Sequence, residues 1–165
     1  MTTHEVLNGP EQVTESIEAE INHQGVKILL YNRDEDAGRP AYCITVGMYQ
    51  YGLPEVIMFS VPPDVFKVVV DHLGNEVLEG RVPVHQGLLP ADYMSLPVYA
   101  EEVSGPLVED YCEIVHDYYQ YKGLPGPRIA QWVIADYNGR FPWNPEFDPE
   151  LRNRQVMLKQ GLAPN

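Results

Sequence analysis

The sequence predicts an α+β fold with a largely antiparallel sheet of five or six strands and about three flanking helices. Three observations lead to this prediction. Short runs of branched apolar residues follow one another along the chain, three segments repeat apolar residues at helical spacing, and glycine or proline separates the segments. The resulting order, α-β-β-β-α-β-β-α-β, is typical of an α+β domain. A half-barrel with flanking helices is compatible with the same order.

The length and composition favour one domain. The chain has 165 residues, of which 44% are hydrophobic, so it can bury a core of ordinary size. We expect residues 1–148 to form this domain. Residues 149–165 show little apolar pattern and are predicted to form a C-terminal tail or a short helix.

Three segments are predicted to be helices. In Glu11–Asn22, Val13, Ile17 and Ile21 recur every four residues, so their side chains share one face. The second helix starts at two prolines, which favour a helix N-terminus, and the third carries an acidic row at every fourth position. These two helices are predicted at 62–80 and Leu107–Tyr121, and the acidic row is Glu109, Glu113 and Asp117.

The strands are predicted from short apolar runs between turn residues. The first two should pair as a hairpin, and the one that begins at Val98 should lie at a sheet edge. Gly47–Pro54 combines two glycines and a proline with aromatic residues, and is predicted to be a turn or loop rather than a helix. The predicted strands are Val26–Tyr31, Ala41–Val46, Glu55–Val61, Val82–His85, Val98–Val103 and Arg128–Asp136.

The charge of the chain is strongly negative. Twenty-four acidic residues face eleven basic ones, and the formal net charge is −13. Such a field repels nucleic acids and anionic membranes, so neither is an expected partner. No Lys or Arg lies in residues 82–121, which hold seven acidic residues. Two interpretations stay open: docking to a basic protein partner, and a solvated surface that keeps the protein soluble.

Location and thiol chemistry follow from what the sequence lacks. No apolar run approaches the roughly 18 residues of a membrane span, and the first residues lack the pattern of a signal peptide. We therefore expect a cytoplasmic protein. Cys43 and Cys112 are the only cysteines and do not form a C-x-x-C pair, so buried, inert thiols are expected.

Known catalytic and cofactor motifs are missing from the sequence. No two of the five histidines are three or four residues apart, no serine lies in G-x-S-x-G, and no glycine-rich phosphate loop occurs. We therefore predict no catalytic residue, no metal site and no cofactor, and the sequence does not decide whether the protein is an enzyme.

Two segments contain the candidate binding residues. The first is Pro40–Glu55, with Thr45, Gly47 and Glu55, and the second is Gln131–Asp148. Each joins a strand to glycine, proline, aromatic and acidic residues, which make specific demands on the backbone or on a partner. We expect Thr45, Glu55, Asp136 and Trp143 to lie close together. The candidate binding residues of the second segment are Asp136, Gly139 and Trp143.

Structural roles are the alternative for the same residues. Glu55 can bond to the amides of a nearby turn, and Asn138-Gly139 is a strong turn signal. Asp136, Glu146 and Asp148 could bind a divalent cation, but they lack the spacing of an EF-hand.

The order of these motifs resembles that of the uncharacterised domain-of-unknown-function family 4262, which is bacterial or phage-borne. The resemblance covers about residues 20–148 and is carried by AYCITVGM, GLPEVIMFSVPP and QWVIADYNGRFPWNPEFD. It directs attention to five residues without implying a reaction. These residues are Glu55, Asp136, Gly139, Pro142 and Trp143.

Three functions are compatible with the sequence. The favoured one is a small binding protein, of phage or mobile-element origin, that acts through an acidic surface. The second is a ligand-binding domain or enzyme with a pocket near Thr45, Glu55, Asp136 and Trp143. The third is a flavin-binding split barrel, which only the strand-rich order suggests.

Overall fold

The computed structural model describes residues 10–81, 86–90 and 93–159, and shows one open, mostly antiparallel sheet flanked by helices. The predicted α+β class is therefore confirmed. The sheet has six strands in the order β1-β2-β3-β6-β5-β4. Their bounds are Lys27–Tyr31 for β1, Tyr42–Val46 for β2, Glu55–Phe59 for β3, Gly87–Leu88 for β4, Val98–Val103 for β5 and Ile129–Ile134 for β6.

Strand pairing agrees with the sequence at one end of the sheet and differs in the middle. β1 and β2 form the predicted antiparallel hairpin, and β2 pairs with β3 in the same way. β3 and β6 run parallel, with Glu55 opposite Ile129. The prediction that Val98–Val103 is an edge strand is wrong, because β5 lies between β6 and the two-residue strand β4.

The helices begin near the expected residues, but the third is broken. Its predicted span is divided at Cys112, whose φ of −112° and ψ of 26° lie outside the helical region. A short 3-10 turn, Met48–Tyr51, forms where only a turn or loop was expected. The helices are Pro10–Gln24 for α1, Pro63–Leu78 for α2, Pro106–Tyr111 for α3, Glu113–Tyr121 for α4 and Pro149–Arg152 for α5.

The sheet separates two apolar layers. On one face the strands pack against α1, α3 and α4, with Ile17, Val108 and Val115 buried. On the other face α2 covers the sheet through Phe66, Val69 and other apolar residues. Burying such side chains contributes about 1.5–3 kcal/mol each relative to exposure. The core is therefore divided between the two faces of one sheet.

The segment after α5 packs against the body of the domain. Leu158 is buried, and its amide donates a 2.9 Å hydrogen bond to the side-chain oxygen of Gln131. Gln131, itself buried in β6, donates in return to the carbonyl of Val156. The buried Glu101 accepts a 2.6 Å hydrogen bond from Lys159. The weak apolar pattern of this segment did not predict this packing.

Two further points concern the limits of the described chain. The predicted strand Val82–His85 lies outside the described residues, as do parts of the base-free span 82–121. Within 10–81, 86–90 and 93–159, no helix combines the length and apolar character needed to cross a membrane.

Candidate functional site

The carboxylate of Glu55 lies at the first residue of β3 and is fully buried. It accepts hydrogen bonds from the Thr45 hydroxyl at 2.8 Å, the Gly47 amide at 3.0 Å and the Met48 amide at 3.1 Å. The hydroxyl of Tyr119, from α4, donates a further bond. Thr45, Gly47 and Glu55, predicted from the sequence as binding residues, therefore form one cluster, which we call the Glu55 cluster.

Local backbone geometry explains why Gly47 stands in this cluster. Its φ of 123° is one that side chains other than glycine rarely adopt. A Cβ atom there would lie 3.0 Å from the carbonyl oxygen of Gly25. Gly47 thus lets the chain turn tightly after β2, and the turn aims two amides at Glu55.

The internal contacts of the Glu55 cluster leave little capacity for an external ligand. Burial raises the pKa of Glu55, while the bonds from Tyr119, Thr45 and the two amides oppose the rise. Burial also raises the pKa of Tyr119, and the nearby Glu55 adds to that effect. Since both carboxylate oxygens accept bonds from the protein, the arrangement fixes the turn between β2 and β3.

Asp136 forms a second cluster beyond the end of β6. One carboxylate oxygen accepts from the amides of Asn138 and Arg140, each at 2.9 Å, and the other accepts from the Asp148 amide at 3.0 Å. Burial alone would raise the pKa of this carboxyl, but the backbone donors and the Arg140 charge outweigh it and hold the pKa below its usual value of 3.8. Gly139, with a φ of 77°, completes the turn.

Trp143 belongs to an aromatic group next to the Asp136 turn. Its ring stacks on Phe141 at a centroid distance of 4.7 Å and meets the edge of Tyr99 at 5.3 Å. The side chain is half-buried. These contacts fix the segment that follows the turn against β5.

The four residues expected to converge lie in two separate places. Glu55 is level with Ile129 at the start of β6, whereas Asp136 follows the end of that strand. At about 3.3 Å per residue, the separation along the strand is roughly 20 Å. Thr45, Glu55, Asp136 and Trp143 therefore do not line a single pocket.

The three acidic residues of the second segment have separate internal contacts. Asp136 accepts three backbone amides, Glu146 pairs with Arg140 at 3.5 Å, and Asp148 accepts from the Glu150 amide at the start of α5. Across the described parts of the chain, no group of three or more His, Cys, Asp or Glu side chains is arranged to hold a metal ion.

Both cysteines are free and buried. Burial raises the pKa of the Cys43 thiol to about 11. Burial, with a smaller effect of Glu55, raises that of Cys112 to about 12. At neutral pH both thiols are protonated, and neither has the character of a nucleophile.

Some of the acidic residues in 82–121 form ion pairs with basic residues from elsewhere in the chain. Lys159 pairs with Glu101, Arg128 with Glu102 and Arg39 with Asp110. No such pair is found among the described residues for Glu109, Glu113 or Asp117, and all three are exposed on α3 and α4. The predicted acidic surface is therefore smaller than the sequence suggests.

A groove of about 1030 Å³ opens between the β1–β2 connection, the start of α2 and the segment after α5. None of its lining residues is among the binding residues predicted from the sequence. Two features of the sequence could have indicated the groove: two arginines that flank an acidic loop, and a serine shortly before two prolines. The lining includes Arg33, Arg39, Ser60 and Arg154.

Another buried carboxylate, Glu76 of α2, was also not identified from the sequence. It accepts a hydrogen bond from the Tyr93 hydroxyl, and His72 lies 3.7 Å away. The Tyr93 ring meets the edges of His72 and Trp132 at 4.4 Å and 5.4 Å. This group links α2 to β6 and serves the packing of that face.

Comparison with known proteins gives one match. Neither the curated protein sequences nor the solved structures contain a match to this chain. A family model matches residues 20–148, which include the whole sheet, the Glu55 cluster and the Asp136 turn. The chain therefore belongs to DUF4262, a family described as a domain of unknown function.

Proposed function

We propose that this protein binds a basic protein partner through an acidic helical layer, which we define as the outer sides of α1, α3 and α4. The observation that carries the proposal is the charge that this layer leaves unpaired. Four exposed carboxylates of the layer take part in none of the ion pairs found among the described residues. They are Glu15, Glu109, Glu113 and Asp117.

The basic residues next to this layer are already neutralised by it. Lys27 pairs with Glu20 at 2.9 Å, Lys122 pairs with Glu18 at 2.6 Å, and Arg39 pairs with Asp110. The remaining charge of the layer is therefore negative. α2, on the other face of the sheet, carries both signs, and its Lys67 and Asp71 pair at 3.2 Å.

Electrostatics supports a protein partner over a nucleic acid. The formal net charge of −13 repels phosphate backbones and attracts basic surfaces. Exposed charges act over a Debye length of about 8–10 Å at physiological salt. Binding through this layer should therefore weaken as salt rises.

The test uses a defined lysine- and arginine-rich peptide, with binding measured by fluorescence anisotropy at about 50 mM and about 300 mM salt. We expect salt-sensitive binding to the unaltered protein. A variant with Glu15→Gln, Glu109→Gln, Glu113→Gln and Asp117→Asn should lose it. A duplex oligonucleotide should not bind at either salt concentration.

The matched control removes the same number of charges elsewhere. It carries Asp64→Asn, Asp71→Asn, Glu79→Gln and Glu146→Gln, all at exposed positions outside α1, α3 and α4. This control should bind the peptide as the unaltered protein does. Equal losses in both variants would mean that net charge alone drives binding, and the proposed layer would then have no specific role.

A further inference from the structure

The groove beside the start of α2 brings together residues that are far apart in the sequence. Arg33 and Arg39 come from the connection between β1 and β2, Ser60 follows β3, and Arg154 follows α5. Three of the eleven basic residues of a chain with net charge −13 thus line one depression. The volume of about 1030 Å³ is at the upper end of the range of pockets for small molecules.

Arg39 is held in place before any ligand arrives. Its guanidinium donates to Asp110 and lies 4.6 Å from the centre of the Tyr111 ring. A guanidinium has five N–H donors, and one carboxylate occupies at most two of them. Arg39 therefore keeps donors for a second acceptor while its position is fixed.

Ser60, another lining residue of the groove, has an unusual backbone conformation. Its φ of 56° is the only positive value at a residue other than glycine in the described chain. Its amide donates to the Ala41 carbonyl at 2.8 Å, and its hydroxyl donates to the Arg154 carbonyl at 2.6 Å. Such backbone strain is often found at functional sites. Here the hydroxyl of the strained residue holds the backbone of Arg154 beside the groove.

Arg33 and Arg154 are the more available of the three arginines. The Arg33 side chain is 71% exposed, and its Nε atom lies 4.0 Å from a carboxylate oxygen of Glu35. For Arg154, the described residues provide no carboxylate within ion-pair distance, and its side chain is exposed. A guanidinium binds phosphate or carboxylate oxygens through paired hydrogen bonds. These two residues therefore offer donors to an anionic group in the groove.

Part of the groove lining is apolar. It includes Pro40, Val61, Pro62 and Pro63, whose rings and methyl groups offer hydrophobic contact. The lining also includes three acidic residues, of which Asp34 accepts the Ala37 amide at 3.1 Å. The groove thus combines three arginines with three carboxylates and an apolar surface.

We propose that this groove binds a small organic anion, with its phosphate or carboxylate group held by Arg33, Arg39 and Arg154 and its apolar part against the prolines of the lining. The groove and the acidic helical layer meet at Arg39, which lines the groove and pairs with Asp110 of the layer. Their tests are distinct, because they substitute different residues and use different ligands, so a failed test of either one leaves the other standing.

The test is an NMR titration of the full chain at low salt with phenyl phosphate, benzoate and benzyl alcohol. The first two probes distinguish a phosphate from a carboxylate on the same ring, and the third lacks the charge. We expect saturable shifts of the Gly38, Ser60 and Arg154 amides with at least one anion, and none with benzyl alcohol. No saturable shift with either anion, or equal binding of benzyl alcohol, would overturn the proposal.

Substitutions identify the donors. The double variant Arg33→Gln and Arg154→Gln should weaken binding of the anion by about tenfold or more, since charge-assisted hydrogen bonds are lost. The matched control is the double variant Arg81→Gln and Lys122→Gln, which also removes two positive charges. Arg81 lies beyond the far end of α2, whose 16 residues span about 24 Å, and Lys122 follows α4 and does not line the groove. Equal weakening by this control would show a general charge effect and would refute the site.

Discussion

The hydroxyl of Thr45 donates a 2.8 Å hydrogen bond to the buried carboxylate of Glu55 and accepts one of 2.9 Å from the Val56 amide. One side chain of β2 thereby satisfies two polar groups at the start of β3. With the amides of Gly47 and Met48 and the hydroxyl of Tyr119, it surrounds the carboxylate with donors. The Glu55 cluster therefore stabilises the join between the first hairpin and α4.

Glu55→Gln should destabilise the fold by about 2 kcal/mol or more, because the new amide group points a donor at other donors. Chemical denaturation with urea measures the change as a lower midpoint. Glu146→Gln, the same substitution at an exposed site, should change the free energy of unfolding by no more than about 0.5 kcal/mol. Similar midpoints for both variants would contradict the structural role of Glu55.

Gly47→Ala should destabilise more than Gly38→Ala. Both glycines have positive φ, but a Cβ at Gly47 would lie 3.0 Å from the Gly25 carbonyl oxygen, while one at Gly38 has no atom within 4 Å. We expect a cost of about 1 kcal/mol at Gly38 from the backbone angle alone, and a larger cost at Gly47. Thermal unfolding of the two variants checks the order, and a reversed order would refute it.

Asp136 should give the protein stability that is lost in acid. Its folded-state pKa lies below the ordinary value of 3.8, so its contribution is present above that value and disappears as pH falls through the lower folded pKa. Asp136→Asn should therefore destabilise most at neutral pH, and the difference from the unaltered protein should shrink in acid. Denaturation at about pH 7 and about pH 3 measures this difference. A larger destabilisation by Asp136→Asn in acid than at neutral pH would contradict the lowered pKa of Asp136 in the folded state.

Gln131→Leu should release the segment after α5. The substitution places an apolar side chain of similar size in β6 but removes the acceptor for the Leu158 amide and the donor to the Val156 carbonyl. We expect a loss of about 1–3 kcal/mol and faster hydrogen exchange at Leu158. Gln120→Leu, at an exposed position of α4, is the control and should leave exchange at Leu158 unchanged.

The sequence predicted the elements of the fold better than the arrangement of the site. The strand Ala41–Val46 was predicted from its apolar run, and along β2 Tyr42, Ile44 and Val46 lie in one apolar layer and Cys43 in the other, because side chains alternate across a strand. Thr45 and Glu55 are only ten residues apart in the sequence, and they meet across the turn between β2 and β3. The strand and this contact both depend on residues close together in the sequence, so the sequence pattern was enough to predict them.

The distance between Glu55 and Asp136 depended on a non-local property. Had β6 run antiparallel to β3, the end of β6 would lie beside the start of β3, and the two clusters would meet. The strands are parallel instead, so the clusters lie at opposite ends. Hydrophobic pattern does not encode strand direction. The groove was not predicted for a related reason, because it is formed by three segments that are far apart in the sequence.

The parallel pairing of β3 with β6 also affects how the chain folds. β1, β2 and β3 can assemble as successive hairpins, whereas joining β3 to β6 closes a loop of about 70 residues, and such non-local closure slows folding. Docking of β6 should therefore be the slow step, so that Ile129→Val slows refolding in a stopped-flow experiment more than it speeds unfolding. Until β6 docks, β3 exposes a strand edge through which two unfinished chains can associate.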